Sequence, residues 1–319
     1  MYLGIEIGGT KLQLGVGSGE SAVLERLERR QVDAHHGAAG ILEQIEQTGR
    51  ELIEAYDVSA IGIGFGGPVD VETGCVITSH QIDGWDGFPL AQWCKERFSL
   101  PVVLGNDCDT AALAEARFGA GRGKQTVFYV TVGTGIGGGL VIDGRRHGRG
   151  RPAVAEIGHL RPCGFDIADT SVTVESIASG PGIESAVKAA LNPDDVSVPK
   201  DVAELLASCG NDVNRITAVH IADAARRGNA IAGAAIRRGV ECLGWAVAQV
   251  VTLVAADVVV VGGGVSLMGD ELFFAPLRAA AQRHVFGPLA NSFDIVPAAL
   301  GEEVVVHGAV ALAAGERSA

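Results

Sequence analysis

Disulfide spacing is missing from this chain. Its six cysteines, Cys75, Cys94, Cys108, Cys163, Cys209 and Cys242, are scattered over 319 residues with no CxxC pair. That pattern excludes a stapled secreted scaffold and points to reduced thiols in a cytoplasm. Positive charge is short as well: 25 Lys and Arg stand against 38 Asp and Glu, a net charge of -13. A nucleic-acid binder needs the opposite footprint, so no nucleic acid is expected as a partner. No apolar run is long enough for a membrane span; Trp245 to Val261 comes nearest, and Gln249, Thr252 and Asp257 break it into a buried helix and a buried strand. The start, MYLGIEIGGTK, has no basic segment before an apolar core and goes directly into a strand pattern, which argues against export. Low-complexity segments and short repeats are absent too. These absences leave a cytoplasmic protein that handles small molecules, with no membrane partner.

What is present is apolar material for two cores. At 47% hydrophobic content, 319 residues suffice for two ordinary domains. Residues 3 to 16, LGIEIGGTKLQLGV, alternate apolar and polar side chains on either side of Gly-Gly, the pattern of a hairpin with a glycine turn. A third strand is expected over Ala22 to Val32 and a helix over Ala38 to Tyr56. Ala60 to Phe65 is a continuous apolar run, as in a buried strand of a mostly parallel sheet; PVVLGND at 101 to 107 repeats it, and DTAALAEARFG continues as a helix ending near Gly119. After the connector GAGRGK the pattern restarts, because TVFYVTVGTGIGGGLVIDG reads strand, glycine turn, strand. Helices are expected from about Val172 to Leu191 and Ala218 to Ala255, with NPDDVSVPK, 192 to 200, a surface loop between them. The buried strand ADVVVVGGGV and a last helix near Gly308 to Ala314 follow. The expected domains are 1–118 and a larger 119–304, with the helix at about 305–319 a candidate to pack back on the first.

Three glycine turns present backbone N–H groups that no Cβ shields, so a phosphate can come close. The first is Gly8, Gly9, Thr10 and Lys11, where Glu6 on the preceding strand suits Mg²⁺ directly or through water. The second is Thr131, Gly133, Thr134, Gly135 and Gly137, in a stretch with five glycines over residues 133 to 139. The third, Gly262, Gly263 and Gly264, follows VVVV and precedes an expected helix. Ordinary turns and tight strand packing use glycine in the same way. Two GxGxxG strings, Gly62-Gly64-Gly67 and Gly133-Gly135-Gly138, lack the strand-to-helix context of a nicotinamide site, and GAGRGKQT misses the spacing of a P-loop. Asn106 and Asp107 close the strand PVVLG, at the end where α/β sheets present side chains to ligands. There Asp107 can take a proton from a hydroxyl, or simply cap the next helix. Glu156 and His159 suit neighbouring hydroxyls, although a structural pair would look the same. Glu175 in TVESIASG heads an expected helix, where a carboxylate is favourable in any case.

Four motifs in order resemble the ROK family of sugar kinases, repressors and uncharacterised reading frames, over nearly the whole chain. They are GIEIGGTK at 4 to 11, GNDCDTAALAE at 105 to 115, VTVGTGIGGGLVIDG at 130 to 144, and AEIGHL with VESIASG at 155 to 160 and 174 to 180. The resemblance implies an α/β fold of the two-domain actin-like ATPase (ribonuclease H-like) kind, with mixed sheets flanked by helices and two lobes closing on Mg-ATP and a sugar. It implies that Asp107 is the catalytic base and that Asn106, Glu156, His159 and Glu175 hold the sugar, Asp107 touching it too. Gly8, Gly9, Thr10 and Lys11 fall on the first phosphate motif, Thr131, Gly133, Thr134, Gly135 and Gly137 on the second, and Gly263 with Gly264 on the adenosine side.

The departures from the family pattern are specific. Family members usually carry a CxCGxxGC zinc cluster before the later Glu, but RPCGFDIADTSVTVE keeps only Cys163, so no structural zinc is expected and His159 is left to serve the sugar. SHQIDGW at 79 to 85 has Gln81 where the family often shows Pro-Asn, and Gly66-Gly67-Pro68 replaces the usual Pro-Gly, with Gly67 a further sugar-side candidate. The expected reaction converts ATP and a hexose to ADP and hexose 6-phosphate, with glucose first and fructose, N-acetylmannosamine, N-acetylglucosamine or allose as alternatives. Relatives are often dimers, so a homodimer is expected. A non-catalytic sugar-sensing regulator is the reading from another class, disfavoured because the chain opens directly on the phosphate hairpin. Polyphosphate is the alternative donor, for which Arg145, Arg146, Arg149 and Arg151 form a candidate basic patch.

Overall fold

The computed structural model describes residues 1–79, 81–148, 151, 154–162, 170–191 and 199–315. The chain opens with β1 (Tyr2–Ile7) and β2 (Lys11–Gly17), antiparallel and pairing Ile7 with Leu12 across the glycine turn, and β3 (Leu24–Gln31) pairs with β2. In α1 (Gly37–Tyr56) the buried Ile41, Ile45 and Leu52 fall on one face. Then come β4 (Ala60–Phe65), the small pair β5 (Val69–Asp70) and β6 (Cys75–Val76), α2 (Leu90–Phe98), β7 (Val102–Asn106) and α3 (Asp107–Phe118). The sheet runs β3-β2-β1-β4-β7, with β1, β4 and β7 parallel.

The arrangement then recurs with β8 (Thr126–Val132), β9 (Ile136–Ile142) and β10 (Arg145–Arg146). After α4 (Val174–Ala178), α5 (Gly180–Ala190), α6 (Pro199–Ser208), α7 (Ala218–Arg226) and α8 (Ala230–Val254), the chain adds β11 (Val258–Gly262), α9 (Ala275–His284), β12 (Asp294–Pro297) and α10 (Val304–Ala313). The second sheet runs β10-β9-β8-β11-β12, so each sheet orders its strands third, second, first, fourth, fifth. This is a mixed α/β fold. The chain divides into two compact units: 1–129 with 139–155 and 298–319, and 130–138 with 156–297. Among the described residues no helix is long and apolar enough to cross a membrane.

Three expectations need correction. The helix read over Val172 to Leu191 is two, because extended Ser179 ends α4 and accepts from Gly182 N at 3.2 Å to start α5. The helix read over Ala218 to Ala255 also breaks, at Asn229, whose side chain accepts from Ala232 N at 3.1 Å and caps α8. A cap of this kind is worth about 1 kcal/mol. The opening hairpin, read as alternating apolar and polar side chains, is buried on both faces, because α10 lies against it. A Cβ on Gly62 of β4 would fall 1.8 Å from the Ala309 carbonyl oxygen, so only glycine lets the helix seat that closely. The same helix crosses α3, where a Cβ on Gly308 would fall 1.9 Å from the Thr110 carbonyl oxygen.

Candidate functional site

In the unit that contains β1, the Gly8–Thr10 turn is closed by Gly8 N donating to Lys11 O at 3.0 Å. Glu6 points inward from β1 and is buried, yet both of its oxygens are engaged. Lys11 Nζ lies 3.2 Å from Oε1, and Gln13 Nε2 donates to Oε2 at 2.8 Å. Burial pushes the Glu6 carboxyl above its ordinary value, Lys11 and Gln13 oppose that shift, and the charge of Asp107 adds to it. The two carboxylates therefore lie within electrostatic reach of one another.

Asp107 is the first residue of α3. Asn106 ends β7 in extended conformation and caps the helix, its Oδ1 accepting from Cys108 N at 2.8 Å while its Nδ2 donates to Gly67 O at 2.9 Å. One amide side chain thus fixes both the helix start and the Gly66–Gly67 turn. Asp107 Oδ1 accepts from Cys108 N at 2.8 Å, and Oδ2 lies 3.6 Å from where a Gly66 Cβ would stand. Burial raises the Asp107 carboxyl above the usual range against the opposing pull of the Cys108 N–H. Gly66 N in turn donates to Ile7 O at 2.8 Å, which ties this turn to the end of β1. Gln81 sits on a loop held by Trp85, whose buried ring meets Phe65 and Phe88 edge-on at 5.2 and 5.5 Å. Its Oε1 stands 1.5 Å from the Cβ position of Gly9, so the amide lies directly over the first phosphate turn.

The other unit holds the remaining candidates. Gly133 N donates to Gly135 O at 2.9 Å, and Gly180 N to Gly133 O at 2.9 Å, which lays the start of α5 on the turn between β8 and β9. Thr134 is exposed at that turn, Thr131 and Gly137 are partly buried on its flanks, and a Cβ on Gly133 would meet no described atom within 4 Å. Glu175, at the start of α4, accepts from Ile136 N at 2.7 Å and crowds the Cβ position of Gly135 at 2.7 Å. It braces the glycine turn with at least one oxygen. Glu156 precedes the short helical turn Ile157–His159, whose exposed His159 donates its N–H to Glu156 O at 3.1 Å. A Cβ on Gly158 would lie 2.1 Å from Ile136 O, so this turn abuts the same strand start that Glu175 holds. Gly263, with φ of 86°, lies against β8, where its Cβ would sit 2.4 Å from Val132 O, and Gly264 opens to space among the described residues.

The ROK family model matches residues 2–316. The chain belongs to the ROK family. Its curated relatives include a glucokinase of Streptomyces coelicolor, 32% identical with 98% of this chain and 97% of the relative covered, and a glucokinase of Thermotoga maritima, 29% identical with 97% and 96% covered. A crystal structure of a ROK family glucokinase from Streptomyces griseus in complex with glucose and AMPPNP matches at a TM-score of 0.79 and 33% identity, covering 98% of each chain. The fold is that of the actin-like ATPases, and the activity is that of a sugar kinase.

Against the ROK pattern, Cys163, the one cysteine left of the family's cluster, lies outside the described residues, as do His80 and Arg149. The other five cysteines are free thiols, and burial pushes the Cys94 thiol up to about 12. Arg146 leaves the candidate basic patch: it is buried, with a guanidinium nitrogen 2.6 Å from the Cβ position of Gly105. Glu6, the residue expected to meet Mg²⁺, has the Asp107 carboxylate within electrostatic reach, and no group of three or more His, Cys, Asp or Glu able to hold a metal occurs among the described residues. With Glu6 already engaged, the pair fits a Mg²⁺ that keeps its waters, an ion that dehydrates reluctantly. Sequence reading passed over Gln13 and Glu115. The signal for each was a polar side chain flanked by apolar residues, Leu12 and Leu14 around Gln13 and Ala114 and Ala116 around Glu115, and both are buried and hydrogen-bonded.

Proposed function

We propose that this protein transfers the γ-phosphate of ATP to a hydroxyl of a hexose, glucose foremost, with Asp107 as the base. The observation that carries the reading is the Asp107 carboxylate, one oxygen held by Cys108 N–H and the other turned toward the glycine turn that Asn106 ties down. A carboxylate so held can take the hydroxyl proton as the sugar oxygen bonds to phosphorus and the bond to ADP breaks. Lys11 and the glycine turns would carry the phosphates, while Gln81, Asn106, Glu156 and His159 would hold the sugar, Glu175 doing so beside its role in bracing the turn. Mg²⁺, held through water by Glu6 and Asp107, would offset the charge of the phosphates. Glucose is preferred because the similar curated kinases are named glucokinases. A cytoplasmic homodimer completes the reading.

The test is a phosphorylation screen with ATP and Mg²⁺ over glucose, fructose, allose, N-acetylglucosamine and N-acetylmannosamine. Glucose should give the highest kcat/KM, and Asp107→Asn should lower kcat by roughly 10²–10⁴ while the sugar still binds. Turnover that survives in Asp107→Asn removes the base from the scheme, and consumption of no sugar at all turns the reading toward a sugar sensor.

A further inference from the structure

We propose that Glu115 is a positioning residue for Lys11, acting through the backbone of residues 299 to 302; this rests on the kinase reading above. Glu115 has no exposed surface, and it accepts from three backbone N–H groups. Oε2 takes Ala120 N at 2.8 Å, while Oε1 takes Ala299 N at 2.8 Å and Leu300 N at 2.9 Å. It therefore joins the turn after α3 to the segment that leads into α10. Two residues further on, the Glu302 carbonyl oxygen accepts from Lys11 Nζ at 3.0 Å and from Gln13 Nε2 at 3.1 Å. Gln13 and Lys11 then meet the two oxygens of Glu6 at 2.8 and 3.2 Å.

The polarity of this chain of contacts is forced at each end. A carboxylate offers enough lone pairs for three donors, whereas an amide at position 115 would set its own N–H₂ against one of them. Turning the Gln13 amide over would place its oxygen against a carboxylate and a carbonyl, so both of its N–H groups face acceptors and Oε1 has no partner among the described residues. Lysine is a flexible arm, and here its ammonium is confined between Glu6 and a carbonyl whose position Glu115 sets. The phosphate turn is thus aimed from the far end of the chain.

Binding of AMPPNP and of glucose, each measured alone by calorimetry, tests this in Glu115→Gln. Nucleotide affinity should fall about tenfold, the equivalent of one charge-assisted hydrogen bond, with glucose affinity unchanged. In a Lys11→Ala background the same change should cause no further loss. After ¹³C-methylation of the lysines, the Lys11 resonance, assigned by its absence from Lys11→Ala, should move in Glu115→Gln. Equal weakening of both ligands, additive losses in the double variant, or an unmoved resonance would each overturn the proposal. If Glu115→Gln does not fold, Glu115→Asp, which keeps the charge on a shorter arm, carries the same measurements. Wild-type protein that binds no AMPPNP sinks the kinase reading and this inference with it, while Glu115→Gln that binds as well as wild type sinks this inference alone.

Discussion

Asp107 has to be ionised to take a proton, and its surroundings resist that ionisation. Burial raises its carboxyl above the ordinary value of 3.8, so the folded chain keeps a proton where the unfolded chain has released it. Stability from that proton is complete below the ordinary value and is lost as pH rises through the higher folded value. Turnover follows the opposite sign. We expect kcat to fall on the acid side along a limb displaced above 3.8, and a limb at or below that value would contradict the environment described. Glu6 is displaced in the same direction and the two charges interact, so the limb belongs to the pair. Melting isolates Asp107: the melting temperature of Asp107→Asn should gain on that of wild type as pH rises through the window, then keep pace. A variant that falls further behind would argue against a buried charge. At this scale Asn106 and Asp107 were legible, because a polar pair at a strand end before a helix has few uses. Gln13, Glu115 and the Glu302 carbonyl were not, since their partners lie up to 291 residues away and a carbonyl has no side-chain signature.

Among the elements, α10 depends most on what it is packed against. Val304 through Leu312 are buried, and the helix contacts β1, β4 and α3. It crosses α3 at Gly308, where backbone meets backbone. Gly308→Val should therefore destabilise the protein by about 3 kcal/mol or more, at the upper end of ordinary overpacking, because no side chain can rotate out of the way. Urea unfolding reads this as a lower midpoint, and an unchanged midpoint would mean that the crossing is looser than described. β1, β2, β4, β7, β8, β9 and β11 were legible from their apolar residues, whereas β5, β6, β10 and β12 are too short to carry a pattern. The break between α7 and α8 left a trace too, in Gly228-Asn229, with Gly228 at φ of 87° and Asn229 as the cap. That trace was hidden by apolar spacing that runs on through it. The seating of α10 was hidden differently: Gly4 and Gly15 count as polar in an alternation pattern and Gly62 as part of an apolar run, while in the fold each leaves room for the helix.

For the whole molecule, the order of four motifs was enough to place the chain in its family, and the two repeats of hairpin and strand reappear as two sheets of the same strand order. The sugar was not legible, because Gln81 changes the reach of one amide without altering the rest of the pattern. Residues 298–319 belong with residues from the start of the chain, and so do 139–155. A chain ending at Pro297 should fail to melt cooperatively and should not bind AMPPNP; a truncated protein with wild-type circular dichroism and a sharp transition would refute this. The same connectivity imposes an order on synthesis. On the ribosome, β1 and β4 emerge well before α10, so their glycine-lined groove lacks that helix until Val304–Ala313 leave the exit tunnel. A chaperone that shields this groove during translation, or a slow stretch of codons that prolongs its exposure, would therefore change the yield of active protein without touching a single catalytic atom.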